Sequence, residues 1–262
     1  MKGVTSKIKM HPSWLLLLAL AMLAFGVTGC TQQDQSGSGT VVTADGTTQR
    51  VPDSVRTEAF SYWGLGSNRP IVYELSYPDR NGDGEEPENR TEQGVSSIVF
   101  DSAGDDVATF IVQRTGGLNT IGDQTVEARP EGIFTVSSSL GNISEPIMEL
   151  PAVLEQGKTW SSEVELQLDA ATAITESFNY RIEGMEPVTV PLGTFEAMRV
   201  SQSTTVRTKS ADGSEVVSNV TGSIWYVRDI GIVKVESTIA PESGPAMNVS
   251  YQAIRYAEDD AG

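Results

Sequence analysis

The residues best spaced to do chemistry run from Asp79 to Glu85, as Asp79-Arg80-Asn81-Gly82-Asp83-Gly84-Glu85. Asp79, Asn81 and Asp83 put side-chain oxygens at alternate positions, Glu85 offers a backbone carbonyl at the seventh, and Gly84 permits the sharp turn at the sixth. That is the first half of a calcium loop, whose alternate oxygens converge on one hard cation. The twelfth position, where a bidentate carboxylate belongs, is Arg90, so Glu86, Glu88 or Glu92 would have to replace it. The competing reading is a solvated acidic loop with Asn-Gly and Asp-Gly turns. An ion held here would brace a loop rather than run a reaction, and no other cofactor is expected.

What is missing narrows the chemistry further. The only histidine, His11, and the only cysteine, Cys30, lie near the start of the chain. Everything after them lacks both imidazole and thiol. This excludes the Ser-His-Asp arrangement, cysteine nucleophiles and the usual zinc sites from that part, and it excludes disulfides. Paired carboxylates are the one catalytic route left open, as in glycoside hydrolysis. Glu163, Glu165 and Glu183 fall on the polar side of strand-like alternation, and nothing in their spacing singles out a pair. Trp63, Trp160, Trp225, Tyr180 and Tyr226 either line a ligand groove or serve as core aromatics. Alternation already accounts for most of them as core.

The elements that would position these groups are strands. Ile71, Tyr73, Leu75 and Tyr77 alternate with Val72, Glu74 and Ser76, which predicts a strand with one apolar face from a β region opening near Val55. A long polar loop over 78–94 follows, then strands over 97–100 and 107–112 around a turn at Asp101-Ser102-Ala103-Gly104. The apolar stretch 147–154 fits a strand or a short helical turn. Further on, Trp160, Val164 and Leu166 share one face, as do Phe178, Tyr180 and Ile182, and Val200, Thr204 and Val206. Asp212-Gly213 predicts a two-residue hairpin turn. Ile224-Trp225-Tyr226-Val227 is apolar on both faces and predicts a central, doubly covered strand. Alternation slips between Ala197 and Met198, which predicts a bulge there. No stretch after the opening segment shows helical periodicity over 11 residues. The fold class is all-β: an antiparallel curved sheet, sandwich or partly open barrel.

The opening segment sets the address. Lys2, Lys7 and Lys9 precede an apolar run from Trp14 to Val27 closed by Thr28-Gly29-Cys30. A basic start, a short apolar middle and small residues before a cut make a secretory signal, and the run is short of the roughly 20 residues a spanning helix needs. Val27-Thr28-Gly29-Cys30 resembles the lipobox of bacterial lipoproteins. The resemblance implies cleavage before Cys30, lipidation of that residue and stable tethering. Thr31 after Cys30, in place of Asp, is compatible with the outer membrane or cell surface rather than the inner membrane. The expected organisation is a signal peptide over 1–29, a lipidated cysteine and flexible linker over 30–54, one β-rich domain over 55–257 and a disordered tail over 258–262. The net charge of the 262-residue chain is −17. Three lysines and no acid leave with the leader, which takes it to −20 and argues against nucleic acid as a partner.

Gly157-Lys158-Thr159-Trp160, the hairpin Val190-Pro191-Leu192-Gly193-Thr194-Phe195, and Trp225-Tyr226 followed by Gly231-Ile232-Val233-Lys234 together resemble a group of uncharacterised β-rich secreted and lipid-anchored bacterial proteins, the TapB-like proteins. Those motifs are turn glycines, a turn proline and core aromatics, and the resemblance implies no activity. The expected function is therefore a lipid-anchored, non-enzymatic envelope domain that binds or organises an envelope protein or other partner. Its alternative is a carrier or sensor of an apolar ligand on a curved sheet, and a third reading is a carboxylate-dependent glycoside hydrolase. A filled core would support the first, a hollow sheet the second, and two carboxyls about 5–10 Å apart across a cleft the third.

Overall fold

In the computed structural model the described residues are 40–42, 48–67, 69–79, 88–167, 172–210 and 212–257. A small ribbon pairs β1 (Thr40–Val42) with β2 (Thr48–Arg50). A helical turn and the six-residue helix α1 (Glu58–Trp63) come next. The first half of the main sheet holds β3 (Ile71–Asp79), β4 (Glu88–Ala103), β5 (Ala108–Gly116), β6 (Gln124–Arg129), β7 (Gly132–Ser138), β8 (Asn142–Ile143) and β9 (Ile147–Pro151). The second half holds β10 (Thr159–Gln167), β11 (Ala173–Val190), β12 (Gly193–Lys209), β13 (Glu215–Val227), β14 (Gly231–Pro241) and β15 (Met247–Tyr256). All thirteen strands from β3 onward join one sheet, in the order β8-β10-β11-β12-β13-β14-β15-β3-β4-β5-β6-β7-β9. Every strand pairing among the described residues is antiparallel, so the molecule adopts the expected all-β, curved-sheet fold.

The period-two pattern explains the layering. On β11 Ile174, Phe178, Tyr180 and Ile182 are buried while Asn179 and Arg181 are exposed. The inward faces of β3 to β15 form one contiguous apolar core. The sheet curls until its ends meet, but the main-chain ladder does not close. At the seam, the Met148 amide of β9 donates to Ser162 Oγ of β10 at 3.1 Å, and Trp160 Nε1 of β10 donates to the Met148 carbonyl at 3.1 Å. Helix α1 packs against β7 and β9 on one side and β13 and β14 on the other, burying Ala59, Phe60 and Trp63. Phe60 meets Phe110 of β5 edge-on, with ring centroids 5.9 Å apart.

Several local expectations change. The region opening at Val55 begins with α1 rather than a strand; six residues are too few for a helical period to show. In the polar stretch 78–94 the described residues, 78–79 and 88–94, are strand, because Asp79 pairs with Glu88 and the ladder continues to Ile71–Ser96. Backbone pairing there overrides a composition that reads as loop. The first turn falls after Ala103, since β4 runs through Asp101 and Ser102 with a register shift opposite β5. The stretch from Ile147 resolves as the strand β9. Asp212 and Gly213 do not form a two-residue hairpin. Lys209 pairs with Glu215 and the Ser210 amide donates to the Ser214 carbonyl, while Asp212 Oδ1 accepts from the Ser214 amide and hydroxyl.

The expected bulge also sits elsewhere. β12 pairs without interruption against β11 through Ala197 and Met198 and against β13 from Met198 onward, and the extra residue is Glu183 on β11, between the pairs Ile182–Val200 and Gly184–Arg199. On β11 the buried residues keep the same parity on both sides of the bulge, Ile182 before it and Val188 and Val190 beyond it. On β12 the inward phase changes opposite it, so Ala197 and Met198 are both buried. The Trp-Tyr strand is covered on both faces as expected: Trp225, Tyr226 and Val227 are all buried. Its turn docks onto α1 through the Asp229 amide, which donates to the Ser61 carbonyl at 2.8 Å. Asp229 takes a left-handed φ of 62°, and at Gly231 a Cβ would come within 3.1 Å of the Trp63 carbonyl, so glycine is required there.

Candidate functional site: a polar row inside the sheet

Of the calcium-loop residues, only Asp79 lies among those described, at the end of β3, where its backbone pairs with Glu88. Asn81, Asp83 and Glu85 fall outside the described residues, as does Cys30. Two of the substitutes for the twelfth ligand have other positions. Glu88 is part of β4, and Glu92 Oε1 is 2.6 Å from the Arg90 guanidinium. Among the described residues no group of three or more metal-ligating side chains comes together.

The acids singled out on the polar strand faces are spread along the outside of the sheet rather than across a cleft. Glu163 accepts from the Ser177 hydroxyl at 2.9 Å, and Glu183 accepts from Ser201 at 2.6 Å with Arg181 3.7 Å away. The aromatics divide among three places. Trp63 belongs to α1. Trp225 donates through Nε1 to Glu186 at 2.8 Å, with the Lys234 ammonium 4.9 Å from its ring. Trp160 stacks on Tyr180 at 5.1 Å between centroids, and Tyr180 stacks on Phe178 at 6.0 Å.

The unusual polar groups are inside. Arg114 of β5 is buried and donates to the Gly122 carbonyl and, at 2.7 Å, to Gln124 Oε1. Burial pulls its guanidinium down to about 10, against the pull of Tyr251, Glu149, Asp123 and Tyr73. Glu149 is the extra residue of a second bulge, between the pairs Ile133–Leu150 and Phe134–Met148. The bulge turns its carboxyl inward, where Thr135 Oγ1 donates to Oε1 at 2.6 Å and Oε2 has no partner. Burial pushes this carboxyl up to about 8; the Thr135 bond and the Arg114 charge only partly oppose the rise. Glu176 of β11 is fully buried with neither oxygen bonded, and desolvation holds it well above the carboxylate range.

Tyr180 links the two acids. Its hydroxyl is unpartnered, and both Glu149 and Glu176 help burial to raise its pKa. Tyr226 and Tyr251 also feel Glu149, and Tyr73 donates to the Ile232 carbonyl at 2.7 Å. Gln202 Oε1 and Ser218 Oγ, on β12 and β13, are buried without partners as well. At neutral pH both carboxyls are protonated: a buried carboxylate without a counter-charge is far less stable than the acid. The row is closed to solvent, with Glu176 at 0% exposure and Tyr180 at 3%. Where β10, β11 and β12 lie side by side, Trp160, Ser161, Asn179, Tyr180, Arg181 and Gln202, with Thr159, Ser201 and Ser203, line an open depression of about 460 Å³.

Sequence reasoning placed Tyr180 and Tyr226 correctly among candidate interior aromatics but missed Glu149, Glu176 and Arg114. Glu176 carried a signal: it occupies an apolar-phase position between Ile174 and Phe178. Glu149 stands two residues from the buried Ile147, but the apolar Met148 and Leu150 on either side leave its face unmarked in the sequence.

A family model described as DUF3108-like matches residues 85–238. The chain belongs to the DUF3108-like family. The matched span holds Arg114, Glu149, Glu176, Tyr180 and Tyr226 together with the turn motifs of β10 to β14, whereas α1, Tyr73 and Tyr251 lie outside it. No curated protein matches this family member. Among solved structures it is similar to a candidate lipoprotein from Parabacteroides distasonis ATCC 8503. The identity is 12%, the TM-score 0.47, and the alignment covers 75% of this chain and 98% of that one. It is also similar to a candidate exported protein with a YmcC-like fold from Bacteroides fragilis NCTC 9343, at 11% identity and a TM-score of 0.38, covering 73% and 96% respectively.

Proposed function

We propose that this protein is a lipid-anchored lipoprotein of the bacterial cell envelope, tethered through Cys30, whose β domain binds or organises a partner without catalysing a reaction. The observation that carries the reading of the domain is the filled interior. Glu149, Glu176 and Tyr180 and the core residues Phe178, Val206, Ile224 and Tyr226 are each no more than 3% exposed, so none of them borders a water-sized interior chamber. A carrier of an apolar ligand needs a pocket larger than packing requires, and the depression over β10 to β12 is open and mixes Trp160 and Tyr180 with seven polar residues. The outward acids Glu163 and Glu183 are each bonded to a neighbouring strand, which does not suit a hydrolase pair. The anchor rests on the lysine-flanked apolar run and the residues Val27 to Cys30.

Two measurements test this. Cells fed a labelled fatty acid should label the wild-type protein and leave Cys30→Ala unlabelled; an unlabelled wild-type protein contradicts the anchor. Native mass spectrometry of the protein, with and without calcium, should show no retained small molecule. A discrete added mass of lipid size would overturn the filled-domain reading in favour of a carrier. A one-calcium shift abolished by Asp83→Ala would establish the acidic loop as a metal site.

A further inference from the structure

The seam between β9 and β10 is the weakest closure in the sheet, and it adjoins the polar row on both sides. On β9 the residue that makes both seam bonds, Met148, is followed directly by Glu149. On β10 the seam residue Trp160 lies on the Tyr180 ring, whose hydroxyl is unpartnered. Elsewhere neighbouring strands are joined by continuous main-chain ladders, such as the twelve pairs between β12 and β13. β10 pairs along its length with β11, but on its other edge its ladder reaches only Leu166 and Gln167, opposite β8.

The geometry points to a base-triggered latch: ionisation of Glu149 releases β9 from β10, so that the seam opens while the rest of the sheet stays paired. The groups facing Glu149 can be named strand by strand. Arg114 comes from β5, Thr135 from β7, Tyr180 from β11, Tyr226 from β13 and Tyr251 from β15. Tyr73 of β3 and Glu176 of β11 lie one shell further out, acting on Arg114 and Tyr180.

Arg114 is the one cation in this set; it donates to Gly122 and Gln124, and its charge only partly offsets the burial of the carboxyl. The new charge on Glu149 keeps Thr135 as the donor to Oε1, while Oε2 has no hydrogen-bond partner. Hydration would relieve it, and the strand that carries it meets β10 through two side-chain bonds at Met148. The other buried carboxyl, Glu176, lies on a strand laddered to β10 on one side and β12 on the other. Deprotonation is half complete near pH 8. Below that the acid is neutral and the latch is shut.

Hydrogen exchange on the full chain in detergent tests this, read as protection factors so that the intrinsic pH dependence of exchange cancels. Between pH 6.5 and 9.5 the amides of 147–151 and 159–163 should lose at least about tenfold in protection, while those of β12 and β13 hold theirs. Glu149→Gln, which keeps an acceptor for Thr135, should abolish the loss, and Glu176→Gln should leave it in place. Trp160→Phe should lower seam protection at both pH values. A seam that keeps its protection in the wild type at pH 9.5 overturns the latch. So does a loss shared equally with β12 and β13, or one that persists in Glu149→Gln. The wild-type comparison stands even if a variant does not fold.

Discussion

The two faces of the sheet treat polar side chains in opposite ways. On the outer face they bond one another across strands: Thr205 to Asn219 at 3.2 Å, Thr238 to Asn248 at 2.9 Å, Ser177 to Glu163 at 2.9 Å and Arg207 to Glu215 at 3.2 Å. On the inner face, Glu176, Tyr180, Gln202 and Ser218 present atoms with no partner at all. The outer pairs compete with water and contribute little individually, roughly 0.2–1 kcal/mol each. The inner groups have no water to compete with, so an unmet bond there costs about 1–3 kcal/mol. The face with more hydrogen bonds is therefore the one that matters less for stability, and the inner face is where chemistry and pH sensitivity concentrate.

The largest effect expected from breaking this contrast is steric. Gly222 lies on β13 opposite Gln202 and Ser237, and a Cβ there would stand 2.4 Å from the Glu236 carbonyl. Gly222→Ala should lower unfolding stability by about 3 kcal/mol, because the obstacle is backbone and cannot rotate away. Urea denaturation would measure it, and a change below about 1 kcal/mol would mean that β13 and β14 can separate locally.

Next in size is the pH dependence. Glu149 has a folded pKa of about 8 against an ordinary value of 4.5, and Glu176 is displaced in the same direction. Between those values the folded state binds more protons than the unfolded state, so this contribution to stability is complete below pH 4.5 and falls as pH rises toward 8. Each unit of separation is worth about 1.4 kcal/mol. Stability should decline from pH 5.5 to 8.5, and Glu149→Gln with Glu176→Gln should flatten the slope. Replacing Glu176 by Met should hold or raise stability at pH 8, the reverse of the usual result for a buried substitution. The smallest effect belongs to the outer face: Thr205→Ala and Arg207→Ala should each stay within about 0.5 kcal/mol of wild type.

Much of this architecture was legible because alternation reports one thing well, the face a residue occupies in a regular strand. Phe178, Tyr180, Ile182, Val200, Thr204 and Val206 all follow it. It fails at bulges: the extra residue is Glu183 of β11, while the change of inward phase that the sequence shows falls on its partner β12 at Ala197 and Met198, and at Glu149 no slip was visible. It also fails where backbone pairing recruits polar residues, as in Glu88 to Gly94. Closure of the sheet depends on β9 meeting β10, a contact between elements separated in the ladder by the whole sheet, and local pattern carries no information about it. The site was legible in its aromatics and not in its acids, since an isolated Glu reads as surface until its neighbours are known.

Infrared difference spectroscopy of the carboxyl stretch, at pH 6.5 on the wild type and the two Gln variants, tests most directly whether the inner face holds neutral acids in a dry, filled interior. Two protonated-carboxyl bands at unusually high frequency are expected, one removed by Glu149→Gln and one by Glu176→Gln, with neither exchanging quickly in heavy water. If both carboxyls absorb as carboxylates at that pH, they are paired or hydrated, and the account of a closed, uncharged interior is wrong.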